Sequence, residues 1–398
     1  MEGGLVYMDY NATTPLDGEV AELMREEMGL FGNASSMHEA GRRARARVEE
    51  ARAEVAELVG ARPEGIIFTS GGSESNNTVF QTAFELGRRD ASRRKILISA
   101  IEHPCVMNAA ARLEELGFPL LRLRVDASGR LDEEAYRLAL GPDVLLVSVM
   151  AANNEIGTLQ DIPRLCAMAH ASGALFHTDA VQAAGKVAVD LAAWDVDYAS
   201  FSCHKIYGPK GVGALYYKAG AALYPLIRGG HQEEGYRAGT YNAQGISAFG
   251  RAARIARLRL EEDAARLSRL KEELRRGILE GIEGVRINGD QEACLPNTLN
   301  CSFPGAEGEA ILLSLDLEGI EASTGSACAS GSLEPSHVLM ATGLGPELAH
   351  GSIRFSLGRG STREDVARVL EVLPGIIERL RKMSTVDWRE AQAQGRAG

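Results

Sequence analysis

Lys205 stands in the run Ser202-Cys203-His204-Lys205-Ile206-Tyr207, which passes at once into the turn Gly208-Pro209-Lys210-Gly211. An apolar and aromatic stretch, Tyr198-Ala199-Ser200-Phe201, precedes it. A lysine partly withdrawn from water loses some preference for the charged form, and its amine becomes a nucleophile. The serine and histidine just before it can donate hydrogen bonds to an anion such as phosphate. An amine beside phosphate donors suits an aldehyde cofactor held as a Schiff base, and pyridoxal phosphate carries both groups. Lys210 is the nearest competing amine, and the Gly-Pro turn aims it away. A lysine before such a turn is also a common surface feature, so other segments must supply the remaining contacts.

Two segments upstream can do so. Leu175-Phe176-His177-Thr178-Asp179 reads as a short buried strand ending in a carboxylate, with Val181 and Gln182 just beyond. Open α/β sheets gather ligand contacts at the carboxyl ends of their strands, and a protonated pyridine ring needs an acidic partner. An aspartate at such a place also caps helices, so the order Asp179 and then Ser202, His204 and Lys205 carries the reading. Ile66-Ile67-Phe68-Thr69-Ser70 reads as a second strand, turned by Gly71-Gly72-Ser73 into a helix. The free N–H groups and dipole of that helix start favour phosphate, which places Gly72 and Ser73 with Ser202 and His204.

Further apolar runs at 96–99, 120–123, 144–149 and 174–177 alternate with amphipathic stretches. This rhythm predicts an α/β protein with a mainly parallel sheet covered by helices. The alternating Arg and Glu from Arg42 to Val59 predict a solvated helix face. A second such helix, Ile255 to Leu279, is expected to cross from a large domain (15–254) to a smaller α+β domain (1–14 with 255–384). Strands at 297–301 and 352–356 are expected in the smaller one, and the tail 385–398 lacks periodicity and reads as loose.

These motifs resemble the cysteine desulfurases of the NifS/IscS type, within the class V, fold-type I pyridoxal phosphate enzymes. The likeness runs from Tyr7-Met8-Asp9-Tyr10-Asn11-Ala12-Thr13-Thr14-Pro15 to Arg354. It includes Gly32-Asn33-Ala34-Ser35-Ser36-Met37-His38, Glu102-His103, Asn153-Asn154-Glu155-Ile156-Gly157 and Arg237-Ala238-Gly239-Thr240. Its most discriminating part is Ser323-Thr324-Gly325-Ser326-Ala327-Cys328, continuing through Ser330-Gly331-Ser332-Leu333-Glu334-Pro335-Ser336-His337. That segment resembles the catalytic loop of the group that works with scaffold proteins.

The resemblance implies roles. Lys205 holds the cofactor and shuttles protons, Asp179 pairs with the ring nitrogen, and His103 stacks on the ring and moves protons. Gln182 and Asn154 serve the phenolic oxygen and the substrate region. Gly72, Ser73, Ser202 and His204 hold the phosphate, and Thr240 reaches it from the neighbouring subunit of a homodimer. Arg354 clamps the substrate carboxylate with its planar fork, for which a buried structural Arg–Asp pair is the alternative. Asn33 lies on the same side. Cys328, among small residues, is the thiol expected to take sulfur from L-cysteine as a persulfide, releasing alanine.

Composition sets outer bounds. The chain has 398 residues, 45% of them hydrophobic and 24% charged, as ordinary soluble proteins do. A formal net charge of −11 argues against nucleic acid as the main partner, and neither a secretory leader nor an apolar run of membrane length is visible. Six scattered cysteines (Cys105, Cys166, Cys203, Cys294, Cys301 and Cys328) without a C-x-x-C pair read as reduced thiols in a cytoplasmic setting. All but Cys328 are expected to be packing residues. No dedicated metal site is expected, which leaves Cys328 only as a transient iron–sulfur ligand. The sulfur acceptor stays open between an iron–sulfur scaffold and other thio-cofactor proteins. Rival readings are a selenocysteine lyase, a class V aminotransferase, or a non-catalytic scaffold for sulfur-transfer partners.

Overall fold

The computed structural model describes residues 5–324 and 335–384. Twelve strands are found among them: β1 Val6–Tyr7, β2 Ile66–Thr69, β3 Lys95–Ser99, β4 Leu120–Leu123, β5 Val144–Ser148, β6 Leu175–Asp179, β7 Tyr198–Ser202, β8 Gly213–Tyr217, β9 Arg286–Asn288, β10 Thr298–Ser302, β11 Ile320–Glu321 and β12 Ser352–Ser356. Seven form the central sheet in the order β2-β8-β7-β6-β5-β3-β4. β8 runs antiparallel to both of its neighbours, while the strands from β7 to β4 pair in parallel. The strands after which the chemistry-bearing residues follow therefore all end at one edge.

Apolar side chains alternate between the two faces of this sheet. Ile66, Phe68, Leu97 and Ala214 join one core with the helices Glu39–Leu58 and Ile162–Ala171. Ile67, Ile96, Ile98 and Leu215 join another with the helices Gly72–Arg89 and Pro104–Glu115. A sheet buried on both faces needs such near-continuous apolar strands, and burying each large side chain contributes about 1.5–3 kcal/mol.

A second sheet, β12-β10-β9, is antiparallel, and a short parallel pair joins β1 to β11. Its core takes Val6 and Met8 from the start of the chain, Leu267 to Ile278 from a long helix, and Val366 to Ile377 from the helix Arg363–Met383. The long helix runs over Ala243–Gly281, earlier than the Ile255 start expected from charge periodicity. Asn242 caps it by accepting a hydrogen bond from the Gly245 N–H, and its first turns bury Ile246, Ala248, Phe249 and Ala252 in the large core. That half has few charges to mark it, because it faces protein nearly all round.

His177, fully buried on β6, accounts for a pH dependence of the fold. Its ring nitrogens contact Ser148 Oγ on β5 (2.8 Å) and Ser200 Oγ on β7 (3.1 Å), which ties the three central strands together. Burial pushes its pKa down to about 3, so the folded chain resists a proton that the unfolded chain accepts near pH 6.5. This contribution to stability is fully present above pH 6.5 and is lost as pH falls toward 3. Urea unfolding across that window should show declining stability, and His177→Asn, which cannot titrate, should flatten the slope by up to one proton.

Candidate active site

A cavity of about 310 Å³ opens at the carboxyl edge of the central sheet. Gly72 and Ser73 follow β2, His103 and Cys105 follow β3, and Met150 and Asn154 follow β5. Asp179 and Gln182 come from the end of β6, and Ser202, His204 and Lys205 from β7 and the 3-10 turn Cys203–Lys205. Arg354 enters from β12 of the second sheet, and Asn11 and Ala12 from the chain after β1. Ten of the sequence-predicted residues are thus brought into one space: Gly72, Ser73, His103, Asn154, Asp179, Gln182, Ser202, His204, Lys205 and Arg354.

Asp179 is only 5% exposed. Its Oδ2 accepts from Asn76 Nδ2 (2.7 Å) and its Oδ1 from the Val181 N–H (3.0 Å). The Asn76 amide also lies 3.0 Å from Cys105 Sγ, which in turn is 2.9 Å from His103 Nδ1. His103 caps the helix Pro104–Glu115 by accepting from the Cys105 N–H through the same Nδ1, so its neutral ring carries the proton on Nε2. Burial lowers the His103 pKa against the opposing pull of Asp179. Burial pushes the Cys105 thiol up to about 12, with Asp179 adding to the effect. Glu102, beside them and fully buried, is held well above the carboxyl range by burial; Oε1 accepts from the Met150 N–H (2.7 Å).

At the other end of the cavity Lys205 Nζ donates to the backbone carbonyls of Ala12 (2.7 Å) and Asn11. His204 Nδ1 contacts Thr13 Oγ1 (3.1 Å), and burial with the nearby Lys205, Lys210 and Lys186 drops its pKa to about 4. Gln182 donates to the Asn11 carbonyl (3.0 Å) and accepts from Lys186 Nζ. The buried amine end of Lys186 has its pKa lowered well below the lysine range by burial, then by Lys205 and Arg354. Arg354, 3% exposed, donates to Asp9 Oδ1 (2.7 Å) and the Asn154 carbonyl (3.1 Å). The Arg–Asp alternative raised by the sequence is therefore present, on an arginine that also lines the cavity.

Some expectations fall elsewhere. Asn33 is exposed away from the cavity, its Oδ1 accepting from the Ser35 N–H (2.9 Å), because a local turn claims its side chain. Thr240 is exposed and outside this chain's own cavity, as is Lys210. Cys328 and the tail 385–398 lie outside the described residues. Cys105 departs from a simple packing role by lining the cavity. Asp9, Asn11, Asn76 and Lys186 were not singled out by sequence reasoning. Asp9 and Asn11 sit inside a quoted motif, but Asp9 meets its partner 345 residues along the chain; Asn76 lies just beyond the Gly71-Gly72-Ser73 turn. Lys186 carries only the helical spacing of Gln182 and Lys186.

These residues fit pyridoxal phosphate. Asp179 is a buried carboxylate with hydrogen bonds but no ion pair among the described residues, which suits a protonated ring nitrogen. A Cβ on Gly72 would press on Val181 Cγ2 at 2.8 Å, with Ser202 next to it. Its absence leaves the start of the helix Gly72–Arg89 open beside Ser202.

Residues 6–369 match the model of the family described as Aminotransferase class-V. A cysteine desulfurase of Gluconacetobacter diazotrophicus is 49% identical over 382 residues, covering 95% of each chain. Cysteine desulfurase IscS of Dictyoglomus turgidum is 48% identical, covering 95% of this chain and 96% of the relative. Among solved structures, a NifS-like protein superposes with TM-score 0.88 at 37% identity, covering 94% of this chain and 99% of that one. SspA in complex with cysteine superposes with TM-score 0.78 at 33% identity, covering 89% and 99%. The chain belongs to the class V aminotransferase family and, within it, to the pyridoxal phosphate-dependent cysteine desulfurases.

Proposed function

We propose that this chain takes the sulfur of L-cysteine onto Cys328 as a persulfide, releases L-alanine, and passes the sulfur to an acceptor. The observation that carries the reading is one cavity holding the Lys205 amine, the buried Asp179 carboxylate and the Arg354 guanidinium. Bound pyridoxal phosphate supplies an electron sink that lets the α-proton and then the carbon–sulfur bond of an amino acid be broken. Asp179 would hold the ring nitrogen, and Gly72, Ser73, Ser202 and His204 the phosphate. His204 would donate a ring N–H to that phosphate. Neutral His103 would lie against the ring and move a proton at Nε2.

Arg354 would receive the substrate carboxylate, with Asp9 fixing one edge of the guanidinium. Lys205 then gives and takes the proton at the substrate's α-carbon. The Cys328 thiolate attacks the substrate sulfur; the S–S bond forms as the C–S bond breaks, and the carbon takes a proton to leave as alanine. Cysteine plus thiol thus becomes alanine plus persulfide, with atoms and electrons balanced. The described residues on either side of 325–334 are anchored to the site. The Ser323 and Arg354 backbones pair, Ser336 Oγ donates to Glu155, and His337 Nε2 donates to the Glu102 carbonyl (2.9 Å).

The acceptor read here is an iron–sulfur scaffold protein or another thio-cofactor protein, a reading supported by the Ser323–His337 segment's resemblance to the scaffold-working group. The five described cysteines are all free thiols, which supports a reducing, cytoplasmic setting. Among the described residues no helix is long and apolar enough to cross a membrane. A homodimer is proposed in which Thr240 of one chain completes the phosphate site of the other. Its exposure supports this, together with the anchoring of its loop by Arg237–Glu74 (2.9 Å).

Borohydride reduction of the yellow protein should fix the cofactor on the Lys205 peptide; a label on Lys210 would count against the assignment. Cys328→Ser should keep the colour and its change with L-cysteine, yet lower alanine formation on the order of a thousandfold and leave no persulfide by mass spectrometry. Near-normal alanine turnover would show that Cys328 is not the nucleophile. Arg354→Ala should instead raise KM for L-cysteine about tenfold to a hundredfold, the worth of a charged hydrogen-bonded pair, while Cys328 stays alkylatable. Finally, mixed Thr240→Ala and Lys205→Ala chains should regain cofactor-site absorbance that neither has alone. No regain would remove the shared-site arrangement.

A further inference from the structure

Asn11 is 1% exposed, and each of its polar atoms has a partner. Its N–H donates to Ser356 Oγ (3.0 Å). Its carbonyl accepts from Gln182 Nε2 (3.0 Å) and from Lys205 Nζ. Its Oδ1 accepts from Asn297 Nδ2 (3.1 Å) and Lys186 Nζ (3.3 Å). Its Nδ2 donates to Thr298 Oγ1 (2.8 Å) and to the Asn154 carbonyl (3.1 Å). The residues on either side complete the pattern: Ala12 O accepts from Lys205, and Asp9 accepts from Arg354. One four-residue stretch thus touches both the amine and the guanidinium of the cavity.

We propose that Asn11 is a positioning residue for both groups. Its side chain, pinned to Thr298, Asn297 and Asn154, presents two backbone carbonyls to the Lys205 amine and Asp9 to Arg354. It thereby sets the separation between the group that meets the substrate nitrogen and the group that meets its carboxylate. This rests on the roles of Lys205 and Arg354 argued above. Two carbonyl acceptors hold the Lys205 amine in place. Without the Asn11 amide, Lys186, Asn297 and Thr298 each lose a buried partner, and the stretch is no longer held against β10. Lys205 is then less restrained and more open to acylation.

The full-length chain, stripped of pyridoxal phosphate, can be trace-labelled with acetic anhydride at pH 7, with exposed Lys210 as the internal reference. Asn11→Ala should raise the Lys205-to-Lys210 labelling ratio about tenfold, the scale of one charge-assisted hydrogen bond. After reloading with pyridoxal phosphate, the same variant should show KM for L-cysteine raised about tenfold, because Arg354 loses its fixed position. Thr298→Val removes the acceptor of Asn11 Nδ2 while leaving Asn11 in place. It should shift both readouts in the same direction by a smaller factor, and it carries the test if Asn11→Ala does not fold. A lowered unfolding midpoint with labelling ratio and KM unchanged would make Asn11 merely structural and overturn the proposal. Borohydride label away from Lys205 would overturn the Lys205 reading itself, and the inference with it, whatever the labelling ratio.

Discussion

A carboxylate out of water, hydrogen-bonded yet without an ionic partner among the described residues, is the constraint around which this site is arranged. Asp179 accepts hydrogen bonds from Asn76 and the Val181 N–H, and no cation among the described residues pairs with it. The surroundings register it. Asp179 adds to the raised pKa values of Glu102 and Cys105 and opposes the lowering at His103. On the proposed function, a cationic ring nitrogen placed against it would supply the missing ionic partner. β6 can present Asp179 in this way because it is flanked by paired strands on both sides and fastened to them through His177.

The other end of the cavity has the opposite character. Burial, then Lys205 and Arg354, depress the Lys186 pKa, and burial, then Lys205, Lys210 and Lys186, depress that of His204. Basic groups crowded in this way suit anions, and a cofactor phosphate and a substrate α-carboxylate would supply two. On the proposed function, a substrate carboxylate would approach an arginine whose orientation Asp9 already fixes, and a planar fork is most selective when it cannot turn.

What was legible in the sequence follows from locality. β2, β3, β5 and β6 are apolar runs bounded by turn residues, and the residues at their ends announced the cavity in chain order. The β7–Lys205 segment was legible because lysine, histidine and serine stand together. β8 was not, since nothing within Gly213–Tyr217 shows that it inserts antiparallel between β2 and β7. The insertion requires glycine at 213, where a Cβ would lie 2.5 Å from the Gly71 Cα. Asn11 and Asp9 were hidden for a different reason. Their partners lie on β10, on β12 and next to β5, and only the finished fold brings them within reach. Asn33 misled because its motif was legible while its side-chain direction was not.

The path of the chain has a kinetic consequence. Val6 and Met8 leave a translating ribosome among the first described residues, but the core that receives them is built from residues 267–377. The seats of Asn11 on Thr298 and Ser356 come equally late. The central sheet has all its strands by Tyr217 and can collapse early, whereas the Lys205 amine waits for carbonyls that cannot settle until β12 has emerged. The nascent large core therefore exists for a long interval with an incomplete amine site. High sequence separation between partners slows this last docking, and the first strand stays available for mispairing until it happens. The full set of contacts around the Lys205 amine is then complete only after β12 has emerged.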